Sequence, residues 1–294
     1  ANVRKIVLSY NNLRGLPPDF GGLVSLEDLR LDHNRLQKVV ASIGGLAKLK
    51  ILHLNDNELT ELPNAIRKLK GLEELLVQNN QLVSLPPGIW TLNALNDLQL
   101  ENNQLRVPPA VVIAKGTKAI MSYMKVIDSA STSRKIDLTS MSLADFPHEI
   151  IAMSGITDLK LTNNYLARVP PEISEMVHLR RVQISYNQLT ALPSSFGLLP
   201  ALAALNLEGN QLTILPAGLA DLSTLVLLKL DFNAVQEIPP EVKFMTSLQD
   251  LSICNNQLKA VAAQIYVLTN LTRLHVSHNR LTSLSGDIAN LTNL

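Results

Sequence analysis

Six histidines and one cysteine have the widest chemical repertoire in this 294-residue sequence, and their spacing decides which reactions are open to it. Metal sites draw ligands at short fixed intervals, such as His-x-x-x-His or Cys-x-x-Cys. His33, His53, His148, His178, His275 and His278 follow no such interval, and Cys254 stands alone. His33 and His53 lie near Asp32 and Asp56 and could converge on a cation if their segments stack; a solvated polar face accounts for the same residues with fewer conditions. No Gly-x-x-x-x-Gly-Lys-Ser/Thr phosphate loop occurs. Serines and carboxylates are plentiful, but a nucleophile needs a water-excluding pocket around it. The sequence is therefore expected to carry no catalytic residue, no cofactor site and no metal site.

The elements that would position these side chains come from a 23-residue period. Leu26-x-x-Leu29-x-Leu31-x-x-Asn34-x-Leu36 is followed in register by Leu49-x-x-Leu52-x-Leu54-x-x-Asn57-x-Leu59. The asparagine recurs at Asn11, Asn80, Asn103, Asn164, Asn187, Asn210, Asn233, Asn256 and Asn279, while Met141 takes its place in one copy. Leu-x-Leu alternation predicts a short strand with one face inward, and copies stacked at about 4.8 Å would make a parallel sheet. The strands are expected near Leu8, Arg30, His53, Leu76, Gln99, Asp137, Lys160, Gln183, Asn206, Lys229, Ser252 and His275, in one continuous sheet. Each asparagine stands where the chain leaves its strand, and its amide can both donate to and accept from the backbone there. Met141 cannot, which predicts an irregular turn. Leu16-Pro17, Leu62-Pro63, Leu85-Pro86, Leu192-Pro193, Leu215-Pro216 and Ile238-Pro239 start the return segments, since proline fixes its own φ and removes a donor. Val39-Val40, Val261-Ala262 and Leu284-Ser285 lack that proline and are expected to be looser.

These motifs resemble the leucine-rich repeats, in their 23-residue intracellular class, over nearly the whole chain. The Leu-Pro-x-x-Ile-x-x-Leu variant is similar to that of Ras-pathway scaffolds and plant Ras-group repeat proteins. The resemblance implies an α/β right-handed horseshoe with a parallel concave sheet, about twelve repeats and one helical interruption.

The interruption lies between Asn103 and Met141, which are 38 residues apart, 15 more than one period. Pro108 and Pro109 mark a helix start, and Ile113, Ile120, Tyr123, Met124 and Ile127 would share one side while Lys115, Lys118, Ser122 and Lys125 share the other. The longest helix is expected within 109–127, followed by a flexible loop at Ser129-Ala130-Ser131-Thr132-Ser133. The Lys115-Gly116-Thr117 core with Tyr123 resembles the element that interrupts the array in the leucine-rich-repeat-containing protein forty family. Either it seals the sheet edge or its lysine face docks a partner. The expected divisions are a first repeat block at 1–107, the helical insertion and loop at 108–132, and a second block at 133–294.

Outward strand positions escape the packing constraint and so carry the functional signal. In the first block Glu27, Asp28, Asp32, Asp56, Glu73, Glu74, Asp97 and Glu101 face only Arg30 and Lys50, which reads as an acidic surface. After the interruption Arg134, Lys135, Lys160, Arg180 and Arg181, with Asp137 and Asp158 among them, read as a basic one. Tyr10, Ile51, Leu76, Tyr186, Val226, Leu227 and Phe232 are apolar side chains at positions that should be wet. Glu73, Glu74, Leu76, Asp97, Glu101, Arg134, Lys135, Lys160, Arg180, Arg181 and Tyr186 are the residues expected to contact a partner, near the change of sign between the fourth and eighth copies.

The function expected is a non-catalytic scaffold that binds a protein through the concave face. The resemblance implies a small GTPase, a phosphatase subunit or a cytoskeletal assembly as partner. Because Ala1 and Leu294 fall inside copies without polar caps, a sensing array of a larger signalling enzyme or GTPase, or a structural subunit of an axonemal assembly, are alternatives. The net charge of +1 and 4% aromatic content disfavour nucleic acid as a partner. No apolar run suggests a membrane partner, and the single cysteine favours a reducing, cytoplasmic compartment.

Overall fold

The computed structural model describes residues 2–294, and the chain separates into two units, 1–128 and 129–294. Each repeat contributes a three-residue strand and a return segment. In unit one the strands are β1 (Lys5–Val7), β2 (Asp28–Arg30), β3 (Ile51–His53), β4 (Glu74–Leu76) and β5 (Asp97–Gln99), paired in sequence order and all parallel. The register advances by one period per strand, with Leu29 opposite Leu52 and Leu75 opposite Leu98. Unit two repeats the pattern with β6 (Lys135–Asp137), β7 (Asp158–Lys160), β8 (Arg181–Gln183), β9 (Ala204–Asn206), β10 (Leu227–Lys229), β11 (Asp250–Ser252) and β12 (Arg273–His275). Strand centres lie one residue before the expected positions, and two before in β1, because pairing starts just ahead of the outward residue.

The single continuous sheet expected from the period is not what forms: five strands make one sheet and seven another. The physical reason lies in the extra residues. They fold as α1 (Ala110–Ile113), Gly116 in the left-handed region at φ 83°, and α2 (Thr117–Ser133), the longest helix among the described residues. Thr117 Oγ1 accepts a 2.9 Å hydrogen bond from Leu98 N, supplying at the open edge of β5 the acceptor that a next strand would have offered. Ile120, Tyr123 and Met124 are buried, with Ile120 and Met124 in the leucine core of unit one; Ile113 and Ile127 are half-buried, and Lys118 and Lys125 face solvent. The flexible loop expected at 129–133 is the last turn of α2 instead. Ala130 has no exposed surface, and that burial overrides the poor helix propensity of its serine neighbours.

Inside each unit, strand leucines such as Leu29, Leu52, Leu159 and Leu205 have no exposed surface, and the next layer comes from return-segment residues such as Ile43, Ile66 and Ile173. The returns are 3-10 helices of up to five residues. Those lacking proline are not looser: Val40, Ala262 and Ser285 hold φ from −69 to −59° and ψ from 135 to 145°, beside −67° and 143° at Pro63. Burial of Ile43 and Ile265 pins the turn without help from a ring. Two of the three-residue returns, Phe20–Gly22 and Ile89–Thr91, have two residues between a Leu-Pro pair and the helix, as at Pro87-Gly88.

The asparagines form the ladder expected of them. Asn57 Oδ1 accepts from Leu36 N at 2.9 Å, while its Nδ2 donates to Leu31 O, Leu54 O and Asn55 O at 3.0–3.1 Å. One amide thereby satisfies backbone groups of two successive copies. It also holds an unfavourable turn. The preceding residue lies in the left-handed region in every copy that keeps the asparagine, with φ between 52 and 57° at Tyr10, His33, Asp56, Asn79, Asn102, Asn163, Tyr186, Phe232, Asn255 and His278, and 67° at Gly209. At Met141 the turn is irregular, with Ser140 and Ser142 both at φ 60°.

Candidate interaction face

Between the inward leucines the sheet holds outward residues in rows, one residue per repeat. Because pairing fixes the register, side chains one period apart stand about 4.8 Å from each other, close enough to pair. The acidic side chains of unit one gain cation partners in those rows. Arg4, Glu27, Lys50 and Glu73 occupy one row, with Arg4 3.6 Å from Glu27 and Lys50 3.6 Å from Glu73. In the next row Lys5 lies 2.8 Å from Asp28, and Arg30 closes on the same carboxylate at 3.1 Å. Sequence reasoning overlooked Arg4 and Lys5 because they precede the first complete copy. Charges alternate along the Arg4 row, whereas in the next row Glu74 and Asp97 stand opposite each other.

The five unit-one residues expected to bind a partner do share this sheet. Glu73 is exposed beside Lys50, and Glu74 is half-buried with Oε1 2.7 Å from His53 Nε2. Leu76 and Asp97 are half-buried, Gln99 donates to the Asp97 carboxylate, and Glu101 is exposed. His33 and His53 do not converge: His33 turns to Asp56 at 3.5 Å while His53 turns to Glu74. Tyr10 stacks on His33 with ring centres 4.1 Å apart. Burial works against ionisation of Asp28, yet hydrogen bonds from Lys5 and Arg30 and their charges prevail and hold its carboxyl below the ordinary aspartate range.

The other six residues, Arg134, Lys135, Lys160, Arg180, Arg181 and Tyr186, share the sheet of unit two, and all six are exposed. Lys160 lies 3.6 Å from Asp137, and Arg181 lies 3.3 Å from Asp158. Asp137 is likewise partly desolvated, and hydrogen bonds from the Thr139 hydroxyl and amide together with Lys160 outweigh that and lower its pKa. Tyr186 donates its phenol proton to Glu208 Oε1 at 2.5 Å, and its ring covers Gly209. That hydrogen bond, followed by partial burial and the charges of Glu208 and Asp231, raises the phenol pKa. Glu208 and Gly209 were not singled out from the sequence; glycine in the left-handed slot beside a tyrosine one repeat earlier was the available signal.

Leu76, Ile51, Val226 and Leu227, expected to be wet, are half-covered by their row neighbours, whereas Tyr10, Tyr186 and Phe232 are exposed at the strand exits. Among the described residues no group of three histidine, cysteine, aspartate or glutamate side chains is arranged to hold a metal ion, and no helix is long and apolar enough to cross a membrane.

Comparison with known proteins agrees with this architecture. Two family models, both described as leucine rich repeat, match the chain, one at residues 154–212, 177–235 and 223–281 and the other at 2–23 and 48–69. A leucine-rich-repeat protein of Leptospira interrogans shares 29% identity at a TM-score of 0.53, covering 96% of this chain and 75% of its own. An internalin of Listeria monocytogenes, at 20% identity and a TM-score of 0.53, covers 99% of this chain and 85% of its own, which shows a common fold. No curated protein matches. With its period, its asparagine ladder and repeat matches in both units, the chain is a leucine-rich-repeat protein.

Proposed function

We propose that this chain is a non-catalytic protein-binding module that engages its partner through the outward strand rows. One observation carries the reading: the rows hold exposed charges and aromatics at fixed spacing on a rigid sheet, with Tyr186 clamped over Gly209 by Glu208 rather than free to rotate. Pre-positioned aromatic side chains bind with little loss of rotamer freedom. The displaced pKa values of Asp28, Asp137 and Tyr186 each owe their direction to neighbours that stabilise the face. The partner surface is a protein of mixed charge, basic opposite Glu73, Glu74, Asp97 and Glu101 or acidic opposite Arg134, Lys135, Lys160, Arg180 and Arg181. The resemblance to Ras-pathway scaffolds makes a small GTPase, a phosphatase subunit or a cytoskeletal assembly the class to look for, in a reducing, cytoplasmic setting.

The test is affinity capture from the native source with three variants. E73K/E74K and R180E/R181E change the strand face, while K118E changes the exposed side of α2. Loss of the same protein from a strand-face variant, with retention by K118E, supports the reading. Capture unchanged by both strand-face variants, or lost only with K118E, refutes it.

A further inference from the structure

The cations of the strand face fall into two groups. Arg4, Lys5, Arg30, Lys50, Lys160, Arg181 and Arg273 each lie within 4 Å of a carboxylate. Among the described residues Arg134, Lys135, Arg180 and Lys229 have no such carboxylate, and two of these, Arg134 and Arg180, line a common depression of about 210 Å³. Thr157 lies between them in the same row, and His178, Gly155 and Ala201 complete the wall.

Row geometry places Arg134 and Arg180 two copies apart, roughly 10 Å between backbones, so that two long side chains can close on one anion from opposite sides. A guanidinium offers a planar fork of donors that matches a phosphoryl or carboxylate group, and two unpaired forks facing one depression leave its positive charge uncompensated. Thr157 adds a hydroxyl, now donated to Asp158 Oδ2 at 2.7 Å and to Arg134 O. Asp158 is itself neutralised by Arg181 at 3.3 Å.

We propose that this depression binds the phosphoryl group of a phosphorylated peptide, held between Arg134 and Arg180. The inference rests on the strand-face reading above and deepens it by naming the partner's chemistry. The rows select a peptide over a longer polyanion. Beyond Arg180 the Arg134 row continues with Ala203 and Val226, and the Lys135 row beyond Arg181 continues with Ala204 and Leu227, all half-buried. A nucleic acid or an anionic membrane would need cations along its length; here they give way to an apolar patch. From Thr157 to Val226 is three strand spacings, about 14 Å, which an extended peptide covers in about four residues. The occupant is therefore a phosphorylated residue with an apolar side chain about four positions away.

The probe is Ac-Leu-Gly-Ser-Gly-pSer-Gly-Ser-Gly-Leu-NH2, in which leucines flank the phosphoserine at that distance in both directions. Its affinity for the full chain is measured by calorimetry, alongside the same peptide with Ser or Glu in place of pSer and alongside inorganic phosphate. The Arg Nε–H resonances report which guanidinium is engaged. Expected are saturable binding of the phosphopeptide, shifts at Arg134 and Arg180, inorganic phosphate at least about tenfold weaker, and a loss of about tenfold in each of R134Q and R180Q. Equal binding of the Ser or Glu peptide, or of inorganic phosphate, overturns the proposal, as does affinity unchanged in R134Q/R180Q with an unaltered circular dichroism spectrum. Peptide binding is read without the native partner, so its failure leaves the strand-face capture test standing, and failure of capture leaves the peptide result intact.

Discussion

Replacing Asn187 by methionine, the residue that stands naturally at position 141, puts the asparagine ladder to a quantitative test. Asn187 Oδ1 accepts from Leu166 N at 3.0 Å, and its Nδ2 donates to Leu161 O at 2.9 Å and to Ile184 O and Ser185 O at 3.3 and 3.1 Å. Methionine offers neither donor nor acceptor of useful strength. Leu161 O keeps the 3.0 Å bond from Asn164 Nδ2, so Leu166 N is the group left unsatisfied, at about 1–3 kcal/mol, or about 2 kcal/mol at the centre of the range. Burial of the added apolar atoms returns about 1 kcal/mol, leaving a net loss of about 1 kcal/mol. Urea unfolding followed by far-ultraviolet circular dichroism measures the total. Amide exchange at Leu166 localises it, which matters because repeat arrays can open in part. The reciprocal change, Met141→Asn, puts the amide in a strand exit whose sheet has no earlier strand to receive its bonds, so stability should stay within about 0.5 kcal/mol of the parent. No measurable loss in Asn187→Met with Leu166 still protected, or a gain of about 1 kcal/mol in Met141→Asn, would refute the account of the ladder.

Thr117→Val removes the acceptor of Leu98 N; a loss of about 1–2 kcal/mol with faster exchange at Leu98 is expected, and unchanged exchange would show that α2 does not cap the β5 edge. Gly209→Ala places a methyl 2.5 Å from Tyr186 Cδ1 at φ 67°, so a cost of about 1–2 kcal/mol and a displaced tyrosine ring, seen in near-ultraviolet circular dichroism, are expected. Glu208→Gln should bring the Tyr186 phenol back toward the ordinary tyrosine pKa, as read by ultraviolet titration. Since the folded pKa lies above the unfolded one, the stabilisation from this phenol is complete below the ordinary value and is lost as pH rises through the folded one. For Asp28 the sign is opposite: its folded pKa is depressed, so its contribution is present above the ordinary aspartate value and is lost as pH falls through the folded value. Asp28→Asn should therefore flatten the acid limb of the stability curve.

The fold was legible because each repeat states it independently. Leu29, Leu52 and Leu75 occupy the same inward slot one period apart, and any of those copies read alone predicts the same strand. The register of α2 was legible for the same reason, since Ile120 and Met124 bracket one helical turn. Its end was not. Ser129-Ala130-Ser131-Thr132-Ser133 has loop composition, and only the burial of Ala130 keeps it helical, a tertiary contact that local propensity cannot report. The proline-free returns misled in the converse way, because Val40 and Ala262 reach the proline-like conformation through the burial of Ile43 and Ile265, three positions on.

The break between the sheets was encoded at Met141 as well as in the long period. An asparagine at the strand exit bonds its own copy and, where a strand precedes it in the same sheet, the copy before it as well; Asn11, at the exit of the first strand, donates to Leu8 O and Ser9 O alone, so the full set of bonds needs a preceding strand. Asn164 meets that condition, donating to Leu138 O and accepting from Leu143 N. Met141, in the copy that opens the second sheet, does not. The missing amide and the extra residues of the interruption thus fall at the same point, where one ladder ends and another starts. The binding rows were harder to read because their character belongs to pairs. Glu73 reads as an acidic patch until Lys50 is placed beside it, and Arg134 and Arg180 become distinctive only when Lys160 and Arg181 are seen to have their carboxylates. Single residues reveal the frame of a repeat protein, whereas its recognition chemistry resides in relations one and two periods apart, and residues written 23 to a line would have shown both.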